Sequence, residues 1–533
     1  MKKIVADRYV HVVMALLVGV GVFLFWWKAY PHALSYQEQY QLFLFDGDYF
    51  FSRLAVAGGL ADYIGEFLTQ FYYYPWLGAV VIALLFVGLY LLISSTSRHC
   101  IIACIPLALL LWHMGDENVL LSYVVALCAA LLVAQLMRRV PQWADVVMVP
   151  LFYWLFGPMV LLYGALRVVR KGWRGLWILA WAVCVEFIAY FTVLGQWPIE
   201  TVLLTMCYYR TPMQNPVLQM VIPVVIVLVL LIPAIRQKTV RRLFAVAQLL
   251  VLAVLCYGAV TIGFDLDKYE LIRQDYLIRN ERWGEVIEHA QRYQVRTPFS
   301  SVSVNLSLAM TRQLADRMFS FYQSGTDALI MPRLRDMTSD LPSAEAFWRL
   351  GMVNSAQRYM FDIQESILNG KKSGRCTQRI AECMIVNGHY TPARKHLALL
   401  KKTLFYCSWA LKAEQIMSKE AWVNTHPVWG KLRKLRYRSD MLYSYPELEK
   451  MFGLLFVNNP ENKMALDYMM GQLLLNGNVH DFMQYMSWVQ QYGGYSSMPV
   501  GYRDAVNCIQ QQGRVTGSPY ANYVRQMQIH RDE

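Results

Sequence analysis

Almost every long apolar run in this 533-residue chain lies before about residue 263, and almost none lies after it. That asymmetry constrains the fold more than any motif does. A stretch such as 119–136 approaches the roughly 30 Å of a bilayer's hydrocarbon core, which takes about 20 apolar helical residues to cross. The first half, 1–263, therefore reads as a multi-pass membrane domain. The remainder, 264–533, reads as a water-soluble one.

Composition matters mainly for what it excludes. A net charge of +13 would suit a nucleic-acid partner in a soluble protein. In a membrane chain, cytoplasmic-loop Lys and Arg supply such an excess, and no nucleic acid is expected. The ten cysteines are spread singly, with no CxxC or Cys/His ligand spacing, so neither a zinc site nor a disulfide framework is indicated. The sequence names no cofactor and no metal. Met1-Lys2-Lys3 ahead of the apolar stretch 10–27 resembles a signal peptide at first sight. The run is too long, ends in Trp26-Trp27 and has no small-x-small site close behind, so an uncleaved first membrane helix is expected.

Spans are expected near 10–27, 75–94, 100–113, 119–136, 175–194, 216–234 and 243–263. Segment 145–168 carries Gly157-Pro158 at its middle and Pro150 before it, residues that break a helix. As a kinked crossing it would put the basic stretches 167–174 and 236–242 outside. As a re-entrant hairpin it leaves them, with Arg138-Arg139, on the cytoplasmic side, where positive charge belongs. The hairpin is the expected form. It gives seven crossings of an inner (plasma) membrane, a cytoplasmic N-terminus and an extracytoplasmic C-terminal domain. Loops 30–74, 113–118 and 195–215 then face outward.

The first of these loops is too apolar for a linker. Leu60, Ile64, Phe67, Leu68 and Phe71 recur at helical spacing, and a second helix is expected around 36–55, separated by Gly58-Gly59. Both would lie as interfacial helices in the headgroup region, with Asp62 and Glu66 on a solvated face. Asp46 and Asp48 flank Gly47; they share a cavity only if that glycine bends the chain, and otherwise cap a solvated turn. Asp116 and Glu117 are adjacent in a very short second loop, either as turn formers or as a site. Glu186 lies mid-span, where a carboxylate costs at least about 2–3 kcal/mol and faces a bundle interior, as a functional group or in a buried hydrogen bond. Arg210, in Tyr208-Tyr209-Arg210-Thr211-Pro212, has the planar fork that binds lipid phosphate in pairs of bonds, or it snorkels to the interface.

A long first outer loop with an acidic residue and interfacial helices, then a second acidic outer loop, resembles the GT-C class of membrane glycosyltransferases in layout. The resemblance covers about the first 135 residues. It implies a polyprenyl-phosphate sugar as donor, with Asp46 or Asp48 at the first acidic position and Asp116 with Glu117 at the second, acting as general base or metal ligand. The chain as a whole resembles an uncharacterised family of multi-pass bacterial membrane proteins with a helical C-terminal domain, which implies no activity.

In the soluble half, 380–393 and 465–489 read as helix, Gly-containing turn, helix, and 269–292 as a further pair around Asn280. These resemble degenerate tetratricopeptide repeats, which implies an α-solenoid and a protein partner on its surface. The basic stretches 394–402 and 431–438 suit a solvated face or an anionic partner. No GxGxxG, Walker A, HExxH or GxSxG string occurs. The expected fold is all-α: a polytopic bundle of seven spans plus a re-entrant or kinked segment, followed by the solenoid. The expected function is a lipid-linked sugar transferase at the outer face. The alternative is a non-catalytic membrane scaffold displaying the repeat domain, and a transporter using Glu186 ranks last, since no inverted repeat of hydropathy is evident.

Overall fold

The computed structural model describes residues 2–97, 99–203, 217–233, 238–367, 371–437, 444–491, 495–511 and 517–532. Every regular element among them is helical. The chain divides into two compact units, Met1–Leu266 with the short segment Lys402–Phe405, and Asp267–Lys401 with Tyr406–Glu533.

The first unit begins with α1 (Lys2–Leu24), which runs into a wider π-helical turn, Phe25–Ala29. Two short helices, α2 (Pro31–Glu38) and α3 (Gly47–Leu54), precede α4 (Gly59–Thr69) and the long apolar α5 (Pro75–Ser94). Then come α6 (Ile105–His113), α7 (Leu121–Leu136), α8 (Asp145–Phe156), α9 (Val160–Lys171) and α10 (Leu176–Thr192). The unit closes with α11 (Ile199–Leu203), α12 (Leu218–Leu231) and α13 (Lys238–Thr261).

Among the described residues, five helical stretches are long and apolar enough to cross a membrane: Tyr9–Ala29, Pro75–Ser94, Leu121–Arg139, Gln142–Thr192 and Arg242–Thr261. This marks the unit as membrane-associated. Two expected spans are shorter apolar helices, Ile102–His113 and Leu218–Leu231. Small residues set the packing, because lipid tails are as apolar as leucine and helices gain by approaching closely. A Cβ on Gly65 of α4 would meet the Ser122 backbone nitrogen of α7 at 2.7 Å, and one on Gly258 of α13 would meet the Trp112 ring of α6 at 2.6 Å.

The stretch Gln142–Thr192 is three helices. At Gly157 the chain adopts φ 63° and ψ −149°, a region open essentially to glycine alone, and Pro158 starts a tight turn into α9. Asp145 at the start of α8 pairs with Arg167 of α9 at 2.6 Å, both side chains fully buried. On one continuous helix those residues would stand about 33 Å apart, so α8 and α9 run antiparallel as a helical hairpin. Each has 12 residues, about 18 Å of rise. Tyr163 donates to Asp145, Arg167 donates to the Met137 carbonyl at 2.7 Å, and the Phe152 and Tyr163 rings stack at 5.5 Å.

A second helical hairpin, α3–α4, turns at Gly58-Gly59, with Gly58 at φ 82°. It departs from expectation in which face it buries. Ala61, Gly65, Glu66 and Thr69 are buried, whereas Leu60, Ile64, Phe67 and Leu68 are only half-buried. The apolar stripe is partly covered, with Phe67 against Phe43, Phe45 and Phe71, and Glu66 is no part of a solvated face. The physical reason is close packing: Gly65 brings α4 against the Ser122 backbone of α7, so the face that carries the small residues is the enclosed one. The two hairpin tips touch: the Gly58 amide donates to the Trp154 carbonyl at 2.9 Å, and Trp154 Nε1 donates to the Leu54 carbonyl at 3.0 Å.

The second unit is a succession of helix pairs. The first helices are α14 (Leu266–Arg279), α15 (Trp283–Tyr293), α16 (Pro298–Met310), the single turn α17 (Leu314–Arg317), α18 (Leu341–Leu350) and α19 (Val353–Glu365). Next are α20 (Gly374–Asn387), α21 (Tyr390–Leu400), α22 (Cys407–Met417), α23 (Glu420–Thr425) and α24 (Trp429–Leu435). The last are α25 (Leu448–Asn458), α26 (Lys463–Leu475), α27 (Val479–Gln491), α28 (Val500–Gln510) and α29 (Pro519–Asp532). The expected pairs α14–α15, α20–α21 and α26–α27 are all present, and Gly388 and Gly477 supply the left-handed residue after α20 and α26. Arg375 and Asp275 form a buried two-pronged ion pair at 2.6 and 2.9 Å. Glu345 accepts from Arg349 and Arg379, each at 2.9 Å. The end of the chain returns to the unit's beginning: the Val500 amide donates to Asp316 at 2.7 Å, and Phe319 packs on Tyr520 and Tyr523.

Candidate functional site

The first unit holds a layer of buried polar side chains where the apolar helices end, built by three pieces of chain. The first is α2. Proline at its first position suits the helix start, and His32 through Glu38 are all buried, among them His32, Ser35, Gln37 and Glu38. The second is the turn after α6. There Asp116 Oδ1 accepts the Asn118 amide at 2.9 Å, Asn118 Nδ2 donates to Glu117 Oε1 at 3.1 Å, and the Val119 amide returns to the Asp116 carbonyl. The third is the end of α13. A Cβ on Gly115 would lie 2.3 Å from the Gly263 carbonyl oxygen, so only glycine permits that approach.

Contacts tie the three together. Gln37 Nε2 donates to the Val119 carbonyl at 3.4 Å, and Phe264 stacks on Tyr30 with centroids 4.2 Å apart. His113 sits edge-on to Tyr123, whose hydroxyl donates to the Gln219 carbonyl of α12 at 2.8 Å. Among the described residues, neither ring nitrogen of His113 has a hydrogen-bond partner, nor does either amide atom of Gln41 or of Gln219. Each such buried group costs roughly 1–3 kcal/mol, so a layer holding several is a costly thing to keep unless it binds something polar.

The sequence-expected residues fall in different surroundings. Asp116 and Glu117 lie in the layer, 2% and 5% exposed. Asp46 precedes α3 and pairs with Lys402 at 2.7 Å, and Asp48 is exposed in the first turn of α3. Glu186 is buried on α10, and among the described residues its Oε1 has no hydrogen-bond partner. Arg210 lies outside the described residues. Among the described residues no group of three or more His, Cys, Asp or Glu side chains is arranged to hold a metal ion.

From the sequence, Glu38 is passed over and Glu66 is placed on a solvated face. Glu38 belongs to the buried layer itself. Glu66, fully buried on α4, accepts from Tyr49 and from Arg53 Nε at 3.0 Å, and the Arg53 guanidinium lies over the Tyr49 ring. Burial, then the neighbouring carboxylate, pushes the Tyr49 phenol above its usual range, so it stays protonated and donates. A usable signal existed for Glu66: it sits four residues from Asp62 on the face that also carries Ala61 and Gly65, the small residues of a helix contact.

No curated protein and no solved structure gives a significant match to the chain. The model of a family of unknown function, DUF6057, matches residues 8–531, nearly the whole length and parts of both units, and the chain belongs to that family.

Proposed function

We propose that this protein is a membrane glycosyltransferase of the GT-C kind, taking its sugar from a polyprenyl-phosphate donor at the outer face of an inner membrane. The observation that carries the reading is the burial of Asp116 and Glu117 in one turn, to which α2 is tied through Gln37 and the Val119 carbonyl. A carboxylate held there can take the proton of an acceptor hydroxyl. The hydroxyl oxygen then attacks the anomeric carbon, and the sugar–phosphate bond breaks with its electron pair leaving on the phosphate. Arg210 is the cation proposed for that phosphate. In this reading Glu38 takes the first-loop acidic position in place of Asp46, which pairs with Lys402, and of Asp48, which is exposed.

The proposed topology is seven crossings with α8–α9 re-entrant, a cytoplasmic N-terminus and a tetratricopeptide-like second unit outside. The reversal at Gly157 supports it, since a hairpin adds no crossing. The scaffold reading draws on the helix pairs of the second unit. It asks for an open groove, and the return of α28 and α29 onto residues 316–319 favours a closed domain instead.

The test uses the full-length protein in membranes supplied with radiolabelled polyprenyl-phosphate hexose. Glu38→Gln, Asp116→Asn and Glu117→Gln are compared; losing the base is expected to lower label transfer about 10²–10⁴-fold. Asp46→Asn and Asp48→Asn are expected to change it by less than a few-fold. No transfer by the unaltered protein, or transfer indifferent to all five changes, moves the reading to the scaffold.

A further inference from the structure

The second unit contains a cleft of about 700 Å³ between the α15–α16 junction, the turn 318–323 and α29. That volume lies within the usual range of small-molecule sites, about 300–1,000 Å³. Its chemistry is unusual for this chain. The rim carries four exposed side-chain amides, Gln291 and Gln294 on one side and Asn522 and Gln526 on the other. Among the described residues none of the four makes a side-chain hydrogen bond within the protein. Phe321 and Tyr322 line the cleft, with the Arg317 guanidinium 5.6 Å from the Phe321 ring centroid. Among the described residues Arg296 is the one charged side chain of the lining, and no carboxylate is part of it.

The walls are fixed before any ligand arrives. Gln323 is buried and donates to the Met318 carbonyl at 2.6 Å, while Asn305 Nδ2 donates to Gln323 Oε1 at 2.7 Å. Ser301 Oγ donates to the Tyr322 carbonyl at 3.2 Å, and Tyr523 donates to the Leu475 carbonyl at 3.0 Å. Gln294 is held in a left-handed conformation, φ 48°, at the end of α15. Such preorganisation lowers the ordering cost of binding.

We infer that this cleft binds a short saccharide, uncharged or bearing a single acid group. A planar amide offers a donor and an acceptor side by side, which suits the vicinal hydroxyls of a pyranose. An aromatic face packs against the apolar C–H face of the ring, and Arg296 fits one carboxylate at most. A polyanion would call for several cations, and a cationic ligand for acids that the lining lacks. A peptide is the competing occupant, since amides also pair with peptide backbone. The cleft's limited volume and its lack of charge favour the sugar. The inference does not rest on the glycosyltransferase reading, which concerns the first unit.

The experiment presents the full-length protein, in detergent, to an array of linear di- to tetrasaccharides of hexose, N-acetylhexosamine and hexuronate, beside an array of random decapeptides. Binding to one saccharide class is expected, with Tyr322→Ala and Asn522→Ala each weakening it at least about tenfold. Gln526→Glu, an exposed change, is expected to weaken an uncharged or acidic sugar while leaving the thermal midpoint unchanged, which separates binding from folding. Binding of no saccharide, binding of peptides alone, or saccharide binding untouched by all three variants overturns the inference.

Discussion

Asp145 and Arg167 are 22 residues apart in sequence and 2.6 Å apart in space. Their pairing is what closes the α8–α9 hairpin at its base, with Arg167 also donating to Met137. Because both are fully buried, removing one partner leaves an uncompensated charge, a loss of about 3–5 kcal/mol. Asp145→Leu and Arg167→Met are each expected to lower the thermal midpoint of the detergent-solubilised protein. The double change Asp145→Leu, Arg167→Met is expected to recover part of the loss. A double variant as unstable as the sum of the singles would mean that the two side chains act separately.

If α8–α9 re-enters, a reporter fused after Phe264 lies on the opposite side from the N-terminus. An enzyme active only outside the cell is expected to be active there, and a fluorescent protein that matures only in the cytoplasm to be dark. The same pair fused after Arg139 is expected to give the reverse result. Matching signals at both positions would make the hairpin a crossing.

The contact between α4 and α7 depends on a missing side chain. Gly65→Ala puts a carbon 2.7–2.8 Å from the Ser122 backbone, which must shift, at an expected cost of about 1–3 kcal/mol. Leu60→Ala, at a half-buried position, is expected to cost less. Unfolding of the full chain in detergent reads both.

The second unit is expected to respond to pH in two opposed limbs. Burial pushes the Glu345 carboxyl up, but the guanidinium groups of Arg379, Arg349 and Arg375 outweigh it and hold it down at about 2, from an ordinary 4.5. A carboxylate depressed on folding contributes stability that is present above about 4.5 and lost as pH falls toward 2. Asp340 and Asp467 are both pushed up to about 6, from 3.8, chiefly by burial. They do the reverse: the folded form binds more protons, so stability falls as pH rises from about 4 to 6. Relative to the unaltered chain, Glu345→Gln should flatten the acid limb, and Asp340→Asn with Asp467→Asn the other. Thermal midpoints between about pH 2.5 and 7 decide it.

The apolar helices were legible because hydropathy over a long window leaves few alternatives, and the break at Gly157-Pro158 because both residues resist helix continuation. The orientation of α4 was not legible. Its stripe from Leu60 to Phe71 is the pattern of a helix that buries its apolar side, and that spacing does not show that the side with Gly65 packs on the α7 backbone. Glu38 escaped for a related reason. The run from His32 to Glu38 mixes polar and apolar residues with no period, and nothing local says that a whole short helix is enclosed. Asp46 and Asp48 drew notice by flanking a glycine, a feature that turns and sites share. In the second unit the helix pairs announced themselves through glycine turns such as Gly388. The return of α29 is a contact across some two hundred residues, which no local spacing records.

The meeting of the two hairpin tips is made mostly of main chain: an amide of Gly58, carbonyls of Leu54 and Trp154, and one indole. Side-chain identity at position 54 hardly enters. What enters is how many residues separate each tip from its base, since one more or one fewer rotates the reaching group by about 100° along a helix. The clasp therefore reads chain length rather than composition. Segments 47–69 and 145–171 are free to drift in sequence at their outward positions, but a single insertion or deletion in either would unhook both.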